Sequence, residues 1–159
     1  MRRRNQIRGR IAAPGNHDPD GDLNFLARLR TRWPVRVPTV PTVVEFDSPQ
    51  SRGELMPIAV ACVPYPSKAA LVAAGTPHDQ LHSAAAQALD IIFMDLGDQL
   101  ARARKAGQLT GAIGHINISG SVSSVGQPQI GQELEIDQTH LARLGDCFQV
   151  FNHIHSHQQ

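Results

Sequence analysis

The sequence predicts an α/β fold built in layers of sheet and helix. Three observations carry that expectation. Short β-branched or apolar runs, VPTVVEF at 40–46 and IAVACV at 58–63, are separated by prolines as strands punctuated by loops. A long helical signal follows over 77–106. Two further strand-like runs come after it, TGAIGHINISG at 110–120 and CFQVFNHIH at 147–155. Strands alternating with helices favour an α/β architecture over an all-α or all-β one.

The elements are justified in order. Residues 1–11 are a basic N-terminal tail leading into a short strand at RIAAPGNHD, and 12–159 form the domain. DLNFLARLRTRW (22–33) places Leu23, Leu26 and Leu29 at helical spacing, with Asp22 as a candidate cap and Pro34 as the stop. The helix of 77–106 opens at Pro77 and closes on Lys105 and Gly107. Its expected apolar face is Ala85, Leu89, Ile92, Met94, Leu96 and Leu100. Residues 121–133 read as a Gly/Ser/Gln loop, ELEID as a short strand, and QTHLARLG as one or two helical turns.

Composition narrows the function classes. The 159 residues are 41% hydrophobic and 18% charged, enough for one core and unlike a disordered chain. No apolar run approaches the ~18 residues of a membrane span. The basic start MRRRNQIRGR has no apolar stretch behind it, so it does not read as a secretory signal. With only Cys62 and Cys147, neither a disulfide scaffold nor a cysteine zinc site is expected, and a cytoplasmic setting follows. Nine arginines against three aspartates give residues 1–36 a charge of +6, offset by −5 in the remainder. Such a basic front end suits phosphates, as well as being a plain solvated tail.

The eight histidines form a pattern. Three groups fall at the ends of expected strands: PGNHD at 14–18, GHIN at 114–117 and NHIHSH at 152–157. Ligands in α/β sheets bind beyond the carboxyl ends of strands, where side chains from several strands converge. Imidazoles suit Zn, Mn and Fe, and an amide oxygen suits harder ions. His153 and His155, two apart, share one side of an extended chain. By contrast, His78 and His82 fit a solvated helix face, His140 a surface or helix-start position, and His157 an exposed one near the terminus. His115 taken alone also fits a satisfied buried histidine, and an H-x-H pair alone fits a surface strand end.

These three groups, in this order, resemble the calcineurin-like metallophosphoesterase superfamily, and within it the SbcD-like nuclease subunit of double-strand-break repair. PGNHD is similar to that family's GNH(D/E), GHINISG to its single-histidine strand, and CFQVFNHIHSHQQ to its strand ending in G-H-x-H. ACVPYPSKA and IGQELEIDQTHL resemble further segments of the family. The resemblance implies a metallophosphoesterase-type sandwich and two-metal hydrolysis of DNA phosphodiesters, in which the ions activate water and neutralise phosphoryl charge. It implies Asn16, His115 and His153 as ligands of one metal and His155 of the other. It makes His17 the catalytic histidine and Asp18 the group that orients it. Manganese is the implied ion, DNA the implied substrate, and an SbcC-like ATPase subunit the implied partner.

The family also carries D-x-H and G-D motifs before GNH(D/E). None of the residues before Gly15 is Asp, Glu or His, and the later Gly-Asp pairs at Asp98 and Asp146 follow PGNHD. Asn152 stands where the family has glycine. The expectation is therefore an interior piece, incomplete at the N-terminus, that needs the upstream segment or a partner chain for activity. The alternative is a non-catalytic remnant that binds at most one metal. A sheet without its first strands is further expected to present an unpaired edge.

Overall fold

A computed structural model describes residues 9–16, 18, 22–30, 34–49, 55–121 and 134–152. Elements run in chain order as β1 (Arg10–Ile11), α1 (Asn24–Arg28), β2 (Val35–Arg36), β3 (Thr42–Pro49), β4 (Leu55–Val63) and α2 (Ala69–Ala73). A 3₁₀ turn (His78–Gln80) then leads into α3 (Leu81–Lys105), β5 (Leu109–His115), β6 (Asn117–Ile118), β7 (Glu135–Ile136), α4 (Gln138–Leu144) and β8 (Phe148–Asn152). The α/β expectation holds.

A four-stranded sheet in the order β3-β4-β5-β8 organises the molecule. β3 is antiparallel to β4, while β4, β5 and β8 run parallel. Parallel neighbours need crossovers, and α3 makes the first and α4 lies in the second. Pro57 is tolerated in β4 because the pairing with β5 begins only at Ile58, opposite Leu109. Two short parallel ribbons, β1–β2 and β6–β7, complete the strands. β1 comprises the last two residues of the expected tail, Arg10 and Ile11, beside Val35 and Arg36.

One sheet face is packed by α3. Ala59, Ala61, Val63 and Ala112 on the strands meet Ala85, Leu89, Phe93, Leu96 and Leu100, all within one core that includes Leu144 of α4. Small side chains on the sheet let the helix sit close, and the helix supplies the bulk. The expected apolar face of α3 needs a correction at its middle: Phe93 is fully buried, whereas Met94 is 57% exposed. At 100° per residue, positions 85, 89, 93, 96 and 100 stay on one stripe, and 94 rotates off it.

Glycines set how closely neighbours approach. Gly97 faces the Arg143 carbonyl of α4, where a Cβ would collide with backbone. The rings of Phe148 and Phe151 lie against Gly111 and Gly114 from the paired strand. Arg104 ties three elements together: Nη1 donates to Thr110 Oγ1 at 3.2 Å and to the Leu144 carbonyl at 3.1 Å. The Gly-Asp pairs at 97–98 and 145–146 thus sit in packing and capping roles, with Asp98 midway along α3.

One other expectation is corrected. The helix over 22–33 is a short Asn24–Arg28 segment with no buried residue, and its N-cap is Leu23, with no side-chain cap from Asp22. Leu29 is already extended, so the helix ends before Pro34. Lacking a cap and a packed face, so short a helix cannot propagate further. His140 holds the helix-start place expected for it, the third residue of α4 inside the Asp137 cap; its side chain is 13% exposed, and its ring meets Phe93 edge-on with centroids 5.2 Å apart. β8 has β5 as its sheet neighbour and is an edge strand among the described residues, with Phe148 54% and Val150 60% exposed. No helix among the described residues is long and apolar enough to cross a membrane.

Candidate functional site

The parallel strands β4, β5 and β8 point their carboxyl ends the same way. β4 ends at Val63 and runs into Pro64 and Tyr65, β5 ends at His115, and β8 ends at Asn152, in register with His115. The loop that carries Pro14, Gly15 and Asn16 docks over this rim. The Tyr65 N–H donates to the Pro14 carbonyl at 3.0 Å. The Gly15 N–H donates to Asp18 Oδ2 at 2.8 Å, and the Asp18 N–H returns to the Gly15 carbonyl at 3.2 Å. Proline, glycine and aspartate thus close a tight turn that presents Asn16 to the strand ends.

Asn16 Oδ1 accepts a hydrogen bond from His115 Nε2 at 2.9 Å. The imidazole is held on two further sides. The Tyr65 ring packs edge-on against it, with centroids 6.2 Å apart and planes at 71°. Gly15 lies so close that a Cβ there would stand 2.9 Å from both Nδ1 and Cε1 of the ring. A side chain at position 15 would displace His115, and this is the physical need for glycine in PGN.

Of the residues singled out in the sequence, Asn16 and His115 are brought together, and Asp18 is placed in the same loop with its carboxylate on the Gly15 amide. His17, His153 and His155 lie outside the described residues, as do His157 and the loop 122–133. His153 directly follows Asn152, the strand partner of His115. His78 and His82 are exposed as expected, with His82 Nδ1 3.4 Å from Lys68 Nζ. Tyr65 was not singled out as a site residue; the signal for it lay in the Pro-Tyr stretch after the expected strand.

The donor chemistry fits a divalent ion in part. Two ligands bound side by side at about 2.1 Å from one ion stand about 3 Å apart. The Asn16–His115 separation of 2.9 Å matches that spacing. Among the described residues, no group of three or more His, Cys, Asp or Glu gathers to hold a metal. The thiols are no alternative: both cysteines are free, and burial pushes Cys62 up to about 12, where it stays protonated.

A pocket of about 230 Å³ opens beside the pair, lined by Pro14, Asn16, Asn24, Thr39, Tyr65 and Ser67 among others. No protein-family model matches the chain, and no curated protein matches it.

Proposed function

We propose that this chain is part of a cytoplasmic metal-dependent phosphodiesterase acting on DNA, a nuclease subunit similar to SbcD with a metallophosphoesterase-type sandwich. The observation that supports it most is the meeting of Asn16 and His115 at 2.9 Å, at the carboxyl ends of parallel strands. Those are the two ligand types, from two of the three motif segments, that the resemblance assigns to one metal.

Asn16 and His115, with His153, would hold one divalent ion, and His155 the second. When bound, the ions supply Lewis-acid charge neutralisation and activated water. Asn16 would contribute a neutral oxygen, and His115 a neutral nitrogen at Nε2 in the tautomer that carries the ring proton on Nδ1. Tyr65 and Gly15 fix the His115 ring from two sides, so the donor is positioned before an ion arrives. Asp18 closes the turn that carries Asn16. His17 protonates the departing oxygen. An ATPase subunit of the SbcC kind is the partner this reading carries.

The test is manganese-dependent cleavage of linear duplex DNA by this chain joined to, or mixed with, an upstream segment carrying D-x-H and G-D. His17→Ala is expected to lose turnover while keeping metal binding. Unchanged turnover in that variant refutes the assignment. The second reading, a remnant that binds one metal without hydrolysis, draws on the site of the described residues, where Asn16 and His115 are the two donors brought together. It predicts metal stabilisation with no cleavage in any combination.

A further inference from the structure

We infer that β8 is a docking edge for a second copy of this chain, paired antiparallel about a two-fold axis at Val150. The inference does not rest on the phosphodiesterase reading and concerns a different part of the molecule.

The two faces of β8 differ. Gln149 and Phe151 point to the covered face: Gln149 Nε2 donates to the Leu141 carbonyl of α4 at 3.2 Å, and the Phe151 ring lies against Gly114 and the core. Phe148 and Val150 point to the other face, where both are more than half exposed, as is Leu109 on the neighbouring strand. Among the described residues, no backbone hydrogen bond reaches β8 from any strand but β5. An uncovered apolar row beside an open edge is a template for one more strand.

Charge selects the occupant. β8 reads Phe-Gln-Val-Phe-Asn, with no charged residue and no proline. The opposite edge strand, β3, carries Glu45, Asp47 and Pro49. If β3 paired antiparallel with its own copy in a register centred on Glu45, Phe46 or Asp47, acid would stand opposite acid, and like charges directly opposite are destabilising. β3 is thus guarded against self-pairing, and β8 is not.

Symmetry fixes the register. A two-fold perpendicular to the sheet keeps like face on like face, so opposed residues must have matching side-chain directions. Centring it on Val150 pairs all five residues of β8. Val150 meets Val150 of the second copy, Phe148 meets Asn152, and Gln149 meets Phe151. Cys62, Ile113 and Val150 are neighbours in register, so an apolar row continues across the axis into the second sheet. The two four-stranded sheets become one. Because the copies run antiparallel, their His115 rims face opposite ends and neither is covered by the pairing.

The test is sedimentation equilibrium of the full chain under reducing conditions, from about 1 µM to about 1 mM. One strand pair is small as interfaces go, so a dimer with a Kd on the order of 100 µM is expected. Val150→Lys sets two cations across the axis and should weaken the dimer about tenfold or more, while Glu45→Lys on the opposite edge should leave it unchanged. Register is read by cross-linking with copper phenanthroline as oxidant, in a Cys147→Ser background. Val150→Cys should link two copies, because cross-strand Cβ atoms stand about 4.5–5.5 Å apart. Asn152→Cys should not link to itself, since the two would lie about 13 Å apart along the strands. A chain that stays monomeric throughout, growth beyond the dimer, association unaffected by Val150→Lys, or equal linking at 150 and 152 overturns the inference.

Discussion

His115 Nε2 lies 2.9 Å from Asn16 Oδ1 across a sequence separation of 99 residues. Closing so long a loop for one side-chain hydrogen bond is entropically unfavourable unless other contacts share the cost. Here they do: the Tyr65–Pro14 backbone bond, the Gly15–Asp18 turn and the Tyr65–His115 ring contact all fix the same loop to the same rim. The pair is a consequence of how the sheet's carboxyl edge receives the PGN turn, and that makes its chemistry testable by small changes.

Manganese or zinc is expected to raise the thermal midpoint of the chain. An ion at about 100 times its Kd stabilises by about 2.7 kcal/mol, and each kcal/mol moves the midpoint of a domain this size by roughly 2–4 °C. Differential scanning fluorimetry reads the shift, and a chelator should reverse it. His115→Ala should remove most of it. A full shift in that variant places the ion elsewhere.

Gly15→Ala should damage the pair without touching either member. Its Cβ would press on Nδ1 and Cε1 of His115, 2.9 Å away, with the ring backed by Tyr65. Overpacking of this kind costs about 1–3 kcal/mol. Urea denaturation should show that loss together with a reduced metal shift. Wild-type stability and metal response in Gly15→Ala would show that the imidazole moves aside freely.

The sequence was legible where periodicity was strong and enforced by burial. β4 and β5 read as apolar runs because parallel strands are covered on both faces, and α3 read as a helix because its stripe spans many turns. Legibility failed where a short segment depends on its neighbours. Leu23, Leu26 and Leu29 have helical spacing, yet α1 buries none of its residues, and spacing alone cannot report a missing partner surface. His140 was legible as a helix-start residue, but its partial burial against Phe93 was not, because that comes from a partner helix; the D-x-x-H spacing at 137–140 signals only the cap. The nearness of Asn16 and His115 was legible only through the order of the motif segments. Nothing local in PGNHD or GHIN encodes the partner.

The corrected helix face gives a paired mutational test. Phe93→Ala removes a fully buried ring from the centre of the core and should cost about 3–5 kcal/mol. Met94→Ala, one residue on and 57% exposed, should stay within about 0.5 kcal/mol of wild type. Equal losses would mean that α3 is rotated about its axis.

The exposed edge should govern solubility. Phe148 and Val150 lie on the same side of β8, an edge strand among the described residues, and such edges invite pairing with other chains. Val150→Lys is expected to suppress concentration-dependent association in light scattering while leaving the thermal midpoint nearly unchanged. Association that persists at the wild-type level locates the sticky surface elsewhere.

Acid sensitivity should come in part from the start of α4. Asp137 caps that helix: Oδ1 accepts from His140 Nδ1 at 2.7 Å, from the Thr139 N–H at 2.9 Å and from the His140 N–H at 3.1 Å. The His140 side-chain bond, then its backbone N–H, hold the carboxyl below its ordinary value. Because the folded pKa is the lower one, the cap's contribution is fully present above the unfolded carboxyl pKa of about 3.9 and fades as pH falls through the folded value. Asp137→Asn keeps a competent capping oxygen but cannot titrate. Urea midpoints measured from neutral to strongly acidic pH should therefore show wild type ahead at neutral pH, with the gap closing below about pH 4. A gap that stays constant across that range would mean the carboxylate charge adds nothing to the cap.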